Sequence, residues 1–232
     1  MSHLRWGTCG EEILAGTMAR GEAEAFLRSV AQRVREVPLP FVPSLLVGAD
    51  VAYGERQAVA AVVVWDLREG KVVWEETREG PVAAEYRPGL FFLREAPLVL
   101  PLLSRVPLDG WVALLHGHGM AHPLGAGLAS VVGVLLGRPT VGCAGSLLCG
   151  RGGEPGEEKG SWSPVWWQGK RVGAFLRTRA GVKPLVVSVG HGLTLEEAVG
   201  LVHAASVYRF PEPLRLADAL ARKSLRAAAG GV

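Results

Sequence analysis

The sequence predicts one α/β domain built on a mixed sheet, in which a three-strand antiparallel meander is followed by alternating helices and strands. Three observations predict it. With 232 residues, 49% hydrophobic and 20% charged, and a mean hydropathy of +0.24, the chain can bury one sizeable core and is neither disordered nor low in complexity. Two Val- and Trp-rich runs, 58–66 and 71–77, are separated by Arg68-Glu69-Gly70, a hairpin signal. Beyond Pro88-Gly89, helix-length runs alternate with short apolar runs, the pattern of a sheet that includes parallel strands.

Taken in order, residues 18–37 carry apolar positions at helical spacing and stop at Pro38, Pro40 and Pro43, so a helix is expected there. The short apolar run 45–49 reads as a strand that delivers Asp50 at its end, and with 58–66 and 71–77 it completes the meander. Residues 90–103 favour a helix by length and leucine content, against Pro97 and Pro101. A buried strand at 111–115 ends at His116. A small-residue helix at 124–136 and a strand at 139–142 follow, then a polar, Gly-rich loop at 150–160. Trp166-Trp167 and 172–177 flank Gly169 as a second hairpin, and 185–189 is a strand. A helix at 194–205 opens on Thr194, with Glu197 three residues on as a capping box. The last helix covers about residues 211–225. No repeat or long linker divides residues 1–232, so one domain suffices.

Composition excludes some classes of function. The longest run without a formal charge, 110–137, is broken by His116, His118 and His122 and by glycines, so it does not span a bilayer. Met1 to Glu12 contains no apolar leader core, and the expectation is a cytoplasmic monomer without a membrane partner. Three cysteines, Cys9, Cys143 and Cys149, lack metal-ligand spacing, and the last two read as buried thiols. The net charge of +3 suits a phosphate-bearing partner without requiring one. Trp162, Trp166 and Trp167 read as core and hairpin packing rather than base-stacking platforms.

Two carboxylates stand in apolar surroundings: Asp50 after its strand, and Glu95 within Leu90-Phe91-Phe92-Leu93-Arg94-Glu95-Ala96. A buried carboxylate is costly unless it is paired or metal-bound. Each also has a plainer reading, Asp50 as a cap or turn residue and Glu95 as a solvent-facing partner of an Arg. The segment His116-Gly117-His118-Gly119-Met120-Ala121-His122-Pro123 follows a buried strand. Its spacing is unlike the common zinc sites. Gly117 and Gly119 point instead to a ligand loop whose backbone N–H groups approach something closely, with a simple turn as the other reading.

Six fragments in one order then resemble the endonuclease V family. They are Gly48-Ala49-Asp50-Val51-Ala52-Tyr53, the run from Tyr86-Arg87-Pro88-Gly89 to Arg94-Glu95, and Gly117-His118-Gly119-Met120-Ala121-His122-Pro123. Pro139-Thr140-Val141-Gly142, Ser188-Val189-Gly190-His191 and the run from Phe210-Pro211-Glu212-Pro213 to Asp218 complete the set. The resemblance covers roughly residues 19–223. It implies a ribonuclease H-like mixed sheet flanked by helices, and Mg²⁺- or Mn²⁺-dependent incision near deoxyinosine in DNA or inosine in RNA. It makes Asp50 and Glu95 metal ligands and Asp218 a holder of metal or water. Tyr86 becomes the wedge that parts the strands. Gly89, Phe91, Gly119 and Leu148 become the frame of a pocket for the flipped base, and His122 matches the family's histidine before proline.

The sequence departs from that family where the chemistry would be. An aspartate expected before Gly117 is His116, and a lysine expected two residues after Gly142-Cys143 is Gly145. The Arg usual after the His-Pro pair is Leu124, and a later His is Val132. Mg²⁺ prefers oxygen ligands, so an imidazole removes a hard donor and a negative charge, and His116 becomes a third, softer metal ligand. Loss of the lysine removes a cation that stabilises developing charge. Three readings follow: an endonuclease with an altered centre, a binder of inosine-containing or distorted nucleic acid that does not cleave it, and a relative reassigned to an unrelated ligand.

Overall fold

The computed structural model describes residues 17–82, 84–85 and 87–228. Helix α1 (Arg20–Arg33) precedes the antiparallel strands β1 (Leu45–Tyr53), β2 (Gln57–Asp66) and β3 (Lys71–Pro81). Next come α2 (Phe92–Leu103), β4 (Trp111–His116), α3 (Leu128–Leu136) and β5 (Thr140–Ala144). The hairpin β6 (Trp162–Trp167) and β7 (Lys170–Leu176) leads to β8 (Leu185–His191), α4 (Leu195–Ala204) and α5 (Glu212–Ala228).

These strands form one sheet of eight in the order β3-β2-β1-β4-β5-β8-β7-β6. β1, β4 and β5 run parallel in its middle, the meander extends one side, and β8 joins β5 antiparallel on the other. Two apolar layers sandwich the sheet. α1, α2 and α3 bury Leu27, Phe92, Leu100 and Val131 against one face, while α4 and the start of α5 bury Val199, Val202 and Leu214 against the other. Among the described residues no helix is long and apolar enough to cross a membrane.

Several boundaries differ from expectation, each for a local reason. β1 runs four residues past Ala49, so Asp50 lies inside the strand rather than at its end. Val51 and Ala52 are buried and keep pairing with β2 after β4 has stopped. α1 ends at Arg33 because Val34 is already extended, with φ −60° and ψ 133°, well before Pro38. α3 begins at Leu128 rather than 124, after Gly125 with φ +77° and an extended Gly127. α2 continues through both prolines. α4 has the capping box as read: Thr194 Oγ1 accepts the Glu197 N–H at 3.2 Å and Glu197 Oε2 accepts the Thr194 N–H at 2.8 Å. Cys143 is buried but Cys149 only half-buried, and Trp162 and Trp166 are exposed on the edge strand while Trp167 packs inward.

Candidate active site

The site lies at the carboxyl ends of the three parallel strands, where open α/β sheets place their ligands. The last β1–β4 pair is Ala49 with Leu115, so Asp50 and His116 are the next residue on each strand. Neighbouring strands are about 5 Å apart, so the two side chains meet. His116 Nδ1 stands 3.4 Å from each carboxylate oxygen of Asp50. Asp50 is buried, and its Oδ1 also accepts the Val51 N–H at 3.0 Å. The contact with Asp50 pushes the His116 imidazole towards its protonated form; burial opposes this, and the charges of Asp50 and Asp218 reinforce it.

Glu95 reaches the same centre from the first turn of α2 and is buried. Its carboxyl is held well above the usual range, first by burial and then by the charge of Asp50. The Tyr53 hydroxyl, donating to Oε1 at 3.1 Å, and the Arg94 charge oppose that shift. The Arg94 guanidinium covers the Tyr53 ring at 3.9 Å, and its Nε is buried without a hydrogen-bond partner among the described residues. Asp218 comes from the opposite face, on α5. That helix can lie on β1 because Gly48 has no side chain: a Cβ there would stand 2.1 Å from Pro213 O. Asp218 Oδ1 accepts from Arg222 Nε at 2.6 Å and is close enough to act on His116.

The donors suit a divalent ion in kind. Asp50 and Glu95 are buried hard oxygen donors, the first raising the proton affinity of the second, and the imidazole adds a nitrogen. As placed, Asp50 pairs with His116. Among the described residues no three His, Cys, Asp or Glu side chains are gathered closely enough to hold an ion.

Beside this centre opens a cavity of about 280 Å³, the small end of the range for ligand pockets. Phe91 and Leu128 give it apolar walls, His116 and His118 polar ones, and the 145–148 loop and Gly89 close its sides. Leu148 is 43% exposed at its edge. Gly119 does not line the cavity. It stands behind, donating its N–H to Ser188 Oγ at 2.8 Å, and a Cβ there would stand 2.1 Å from Val189 O. Its glycine is needed for close backbone packing. His122 lines the cavity, with Nε2 3.0 Å from Gly89 O. Burial depresses its pKa to about 4, so it is neutral at physiological pH. Tyr86, the expected wedge, lies outside the described residues.

Sequence reasoning did not single out four side chains that build this site. His118 Nε2 lies 3.0 Å from Ser146 O and fixes the pocket loop. Ser188 anchors Gly119, Tyr53 holds Glu95, and the Phe210 ring packs against His116 with centroids 4.9 Å apart. Each lies within or beside a motif fragment, but only the fold shows its partner. At Gly145, a Cβ would stand 3.6 Å from Arg209 Nη2, ordinary contact distance, and Arg209 Nη2 donates to Gly145 O at 2.7 Å. A guanidinium therefore stands beside the position where the resembling proteins carry a lysine.

Comparison with known proteins shows the family and the fold. The family model for Endonuclease V matches residues 28–219. The Endonuclease V of Roseiflexus sp. (strain RS-1) is 43% identical over 175 residues, covering 75% of this chain and 79% of that protein. The crystal structure of the Streptomyces avermitilis Endonuclease V matches with a TM-score of 0.85 at 39% identity, covering 91% of this chain and 95% of that one. The Ciona intestinalis Endonuclease V, crystallised in complex with a 24mer DNA containing an inosine followed by a ribo-adenosine, matches with a TM-score of 0.77 at 25% identity. There the cover is 90% of this chain and 98% of that one. The eight-stranded mixed sheet flanked by helices is thus the ribonuclease H-like architecture of those structures.

Proposed function

The chain belongs to the endonuclease V family, and we propose from its site that it recognises inosine in nucleic acid and hydrolyses a phosphodiester bond nearby with the help of a divalent cation. The observation that carries this reading is the juxtaposition of the cavity with the buried carboxylates Asp50 and Glu95 through one residue. His116 lines the cavity and touches Asp50.

In this reading Asp50, Glu95 and His116 hold the ion, Mn²⁺ in preference to Mg²⁺ because of the imidazole. When bound, the ion polarises the phosphate and lowers the pKa of the attacking water. The protein's own groups do the rest. Tyr53 orients the Glu95 carboxylate, Asp218 positions the attacking water or a second ion, and Phe91 and Leu128 take the faces of the extruded base. Deoxyinosine in DNA and inosine in RNA are both admitted as substrates, the protein acting as a cytoplasmic monomer.

A second reading, binding without cleavage, has its own support. His116 stands where the resembling proteins carry a carboxylate, and Gly145 supplies no amine. The test is to titrate labelled duplexes with deoxyinosine, guanine or adenine at one position, without divalent ions, and then to look for a cut strand in Mn²⁺ and in Mg²⁺. Preference for deoxyinosine with a cut supports the first reading, and the same preference with none supports the second. Equal affinity for all three duplexes would sink both.

A further inference from the structure

The base pocket has a neighbour. A second cavity, of about 290 Å³, opens behind a partition of Gly89, His122 and Leu148, residues that line both spaces. The partition is fixed by a staple. Neutral His122 donates from Nε2 to Gly89 O at 3.0 Å and accepts the Leu124 N–H on Nδ1 at 3.2 Å, joining the segment before α2 to the one before α3. His122 is buried, so breaking the staple would leave unpaired polar atoms inside.

Beyond the partition the chemistry changes. Pro88, Leu90, Pro123 and Leu124 present side chains with no hydrogen-bonding group, and Arg20 and Glu24 stand at the rim. The rim pair, Arg20 Nε to Glu24 Oε1 at 3.0 Å, is exposed and contributes little, so Arg20 can exchange the carboxylate for a phosphate. A cavity walled by Pro88, Leu90, Pro123 and Leu124, in which His122 already has both ring nitrogens in hydrogen bonds and Arg20 adds a cation, suits a nucleobase held by its faces and linked to a backbone phosphate. It can hold a base without reading which base it is.

We propose that this second cavity receives the base of the nucleotide next to the inosine on the same strand, so that the protein grips two consecutive unstacked bases across one thin wall. The proposal rests on the reading of the first cavity as the inosine pocket. Consecutive bases share one phosphodiester link, and two slots separated by a single layer of side chains match that connection. Leu124 keeps this wall of the slot apolar.

The experiment uses the whole chain, without divalent ions, and a duplex with one deoxyinosine whose 5′ or 3′ neighbour is either a normal nucleotide or an abasic spacer. A spacer on one side is expected to weaken binding to the parent protein about tenfold, the scale of one base–side-chain stacking contact. Leu124→Asp and, at an exposed position that does not threaten folding, Pro123→Asp should bind the normal duplex about as weakly and no longer distinguish the spacer. Both should keep the preference for deoxyinosine over adenine. Arg20→Gln should weaken every duplex alike and flatten the salt dependence. Spacers without effect on the parent, or with an undiminished effect on both slot variants, would overturn the proposal while leaving the inosine pocket intact. Loss of the inosine preference in the parent would overturn the pocket reading and this proposal together.

Discussion

His116 Nδ1 lies 3.4 Å from both carboxylate oxygens of Asp50, because each is the first residue beyond the last β1–β4 pair. This contact holds the imidazole towards its protonated form, against the effect of burial. His116→Asp should remove it, placing a third carboxylate near Asp50 and Glu95. The expected outcome is a lower melting temperature without ions and a larger rise on adding Mg²⁺ than the parent shows. Thermal unfolding with and without Mg²⁺ checks it; an unchanged response to Mg²⁺ would mean that position 116 does not face the ion.

Glu95 is held above its usual range by burial and by Asp50. Glu95→Gln removes the like charge and retains an oxygen to accept the Tyr53 hydroxyl. Without ions the variant should be more stable than the parent, because the buried carboxyl that Asp50 repels has been replaced by a neutral amide. Its Mn²⁺-induced stabilisation should be lost. Chemical denaturation with and without Mn²⁺ reads both effects, and a variant less stable without ions would contradict a repelling pair.

His122 gives a pH dependence of defined sign. Its folded pKa is about 4 against the ordinary 6.5 of a free histidine, so between those values the unfolded chain holds the extra proton. Stability then rises with pH, and the contribution is lost as pH falls from 6.5 through 4. The shift is worth about 3 kcal/mol at most. His122→Gln should unfold more readily at pH 7 yet lose less stability between pH 6.5 and pH 4. Parallel slopes for the two proteins would show that the imidazole staple does not carry the proton linkage.

The meander was legible because Arg68-Glu69-Gly70 punctuates two Val-rich runs, and the central parallel strands because apolar runs alternate with helix-length ones. The overrun of β1 was not. Val51–Tyr53 show no change in local pattern, and it is the pairing with β2, which runs on to Tyr53 and Ala58 after the β4 pairing has stopped, that places Asp50 inside a strand. Apolar context drew attention to Asp50 and Glu95, while the Asp50–His116 contact depends on a pairing register between residues far apart in sequence. The requirement for glycine at 119 was not legible either, because the Val189 carbonyl that excludes a Cβ there comes from a strand far away in sequence.

Gly145 accepts a side chain: a Cβ would meet Arg209 and Phe210 only at 3.6–3.7 Å. Gly145→Lys should therefore fold with a melting temperature within a few degrees of the parent, its ammonium displaced towards the cleft by the Arg209 charge. Alone it should add little to incision. With His116→Asp it should raise the rate in Mg²⁺ by more than the product of the single effects, since both act on one centre. Single-turnover rates on a deoxyinosine duplex for the parent, both single variants and the double variant decide this. A double variant that binds duplex and ion but cuts no faster than the parent would place the defect elsewhere.

The most direct measurement is incision of a deoxyinosine duplex by the parent protein in Mn²⁺ and in Mg²⁺, with Asp50→Asn as control and the matched adenine duplex alongside. The expected result is a single cut near deoxyinosine, faster in Mn²⁺ than in Mg²⁺, absent from the adenine duplex and abolished in Asp50→Asn. Cutting confined to Mg²⁺, or cutting that survives Asp50→Asn, would contradict a divalent-ion centre built on Asp50, Glu95 and His116.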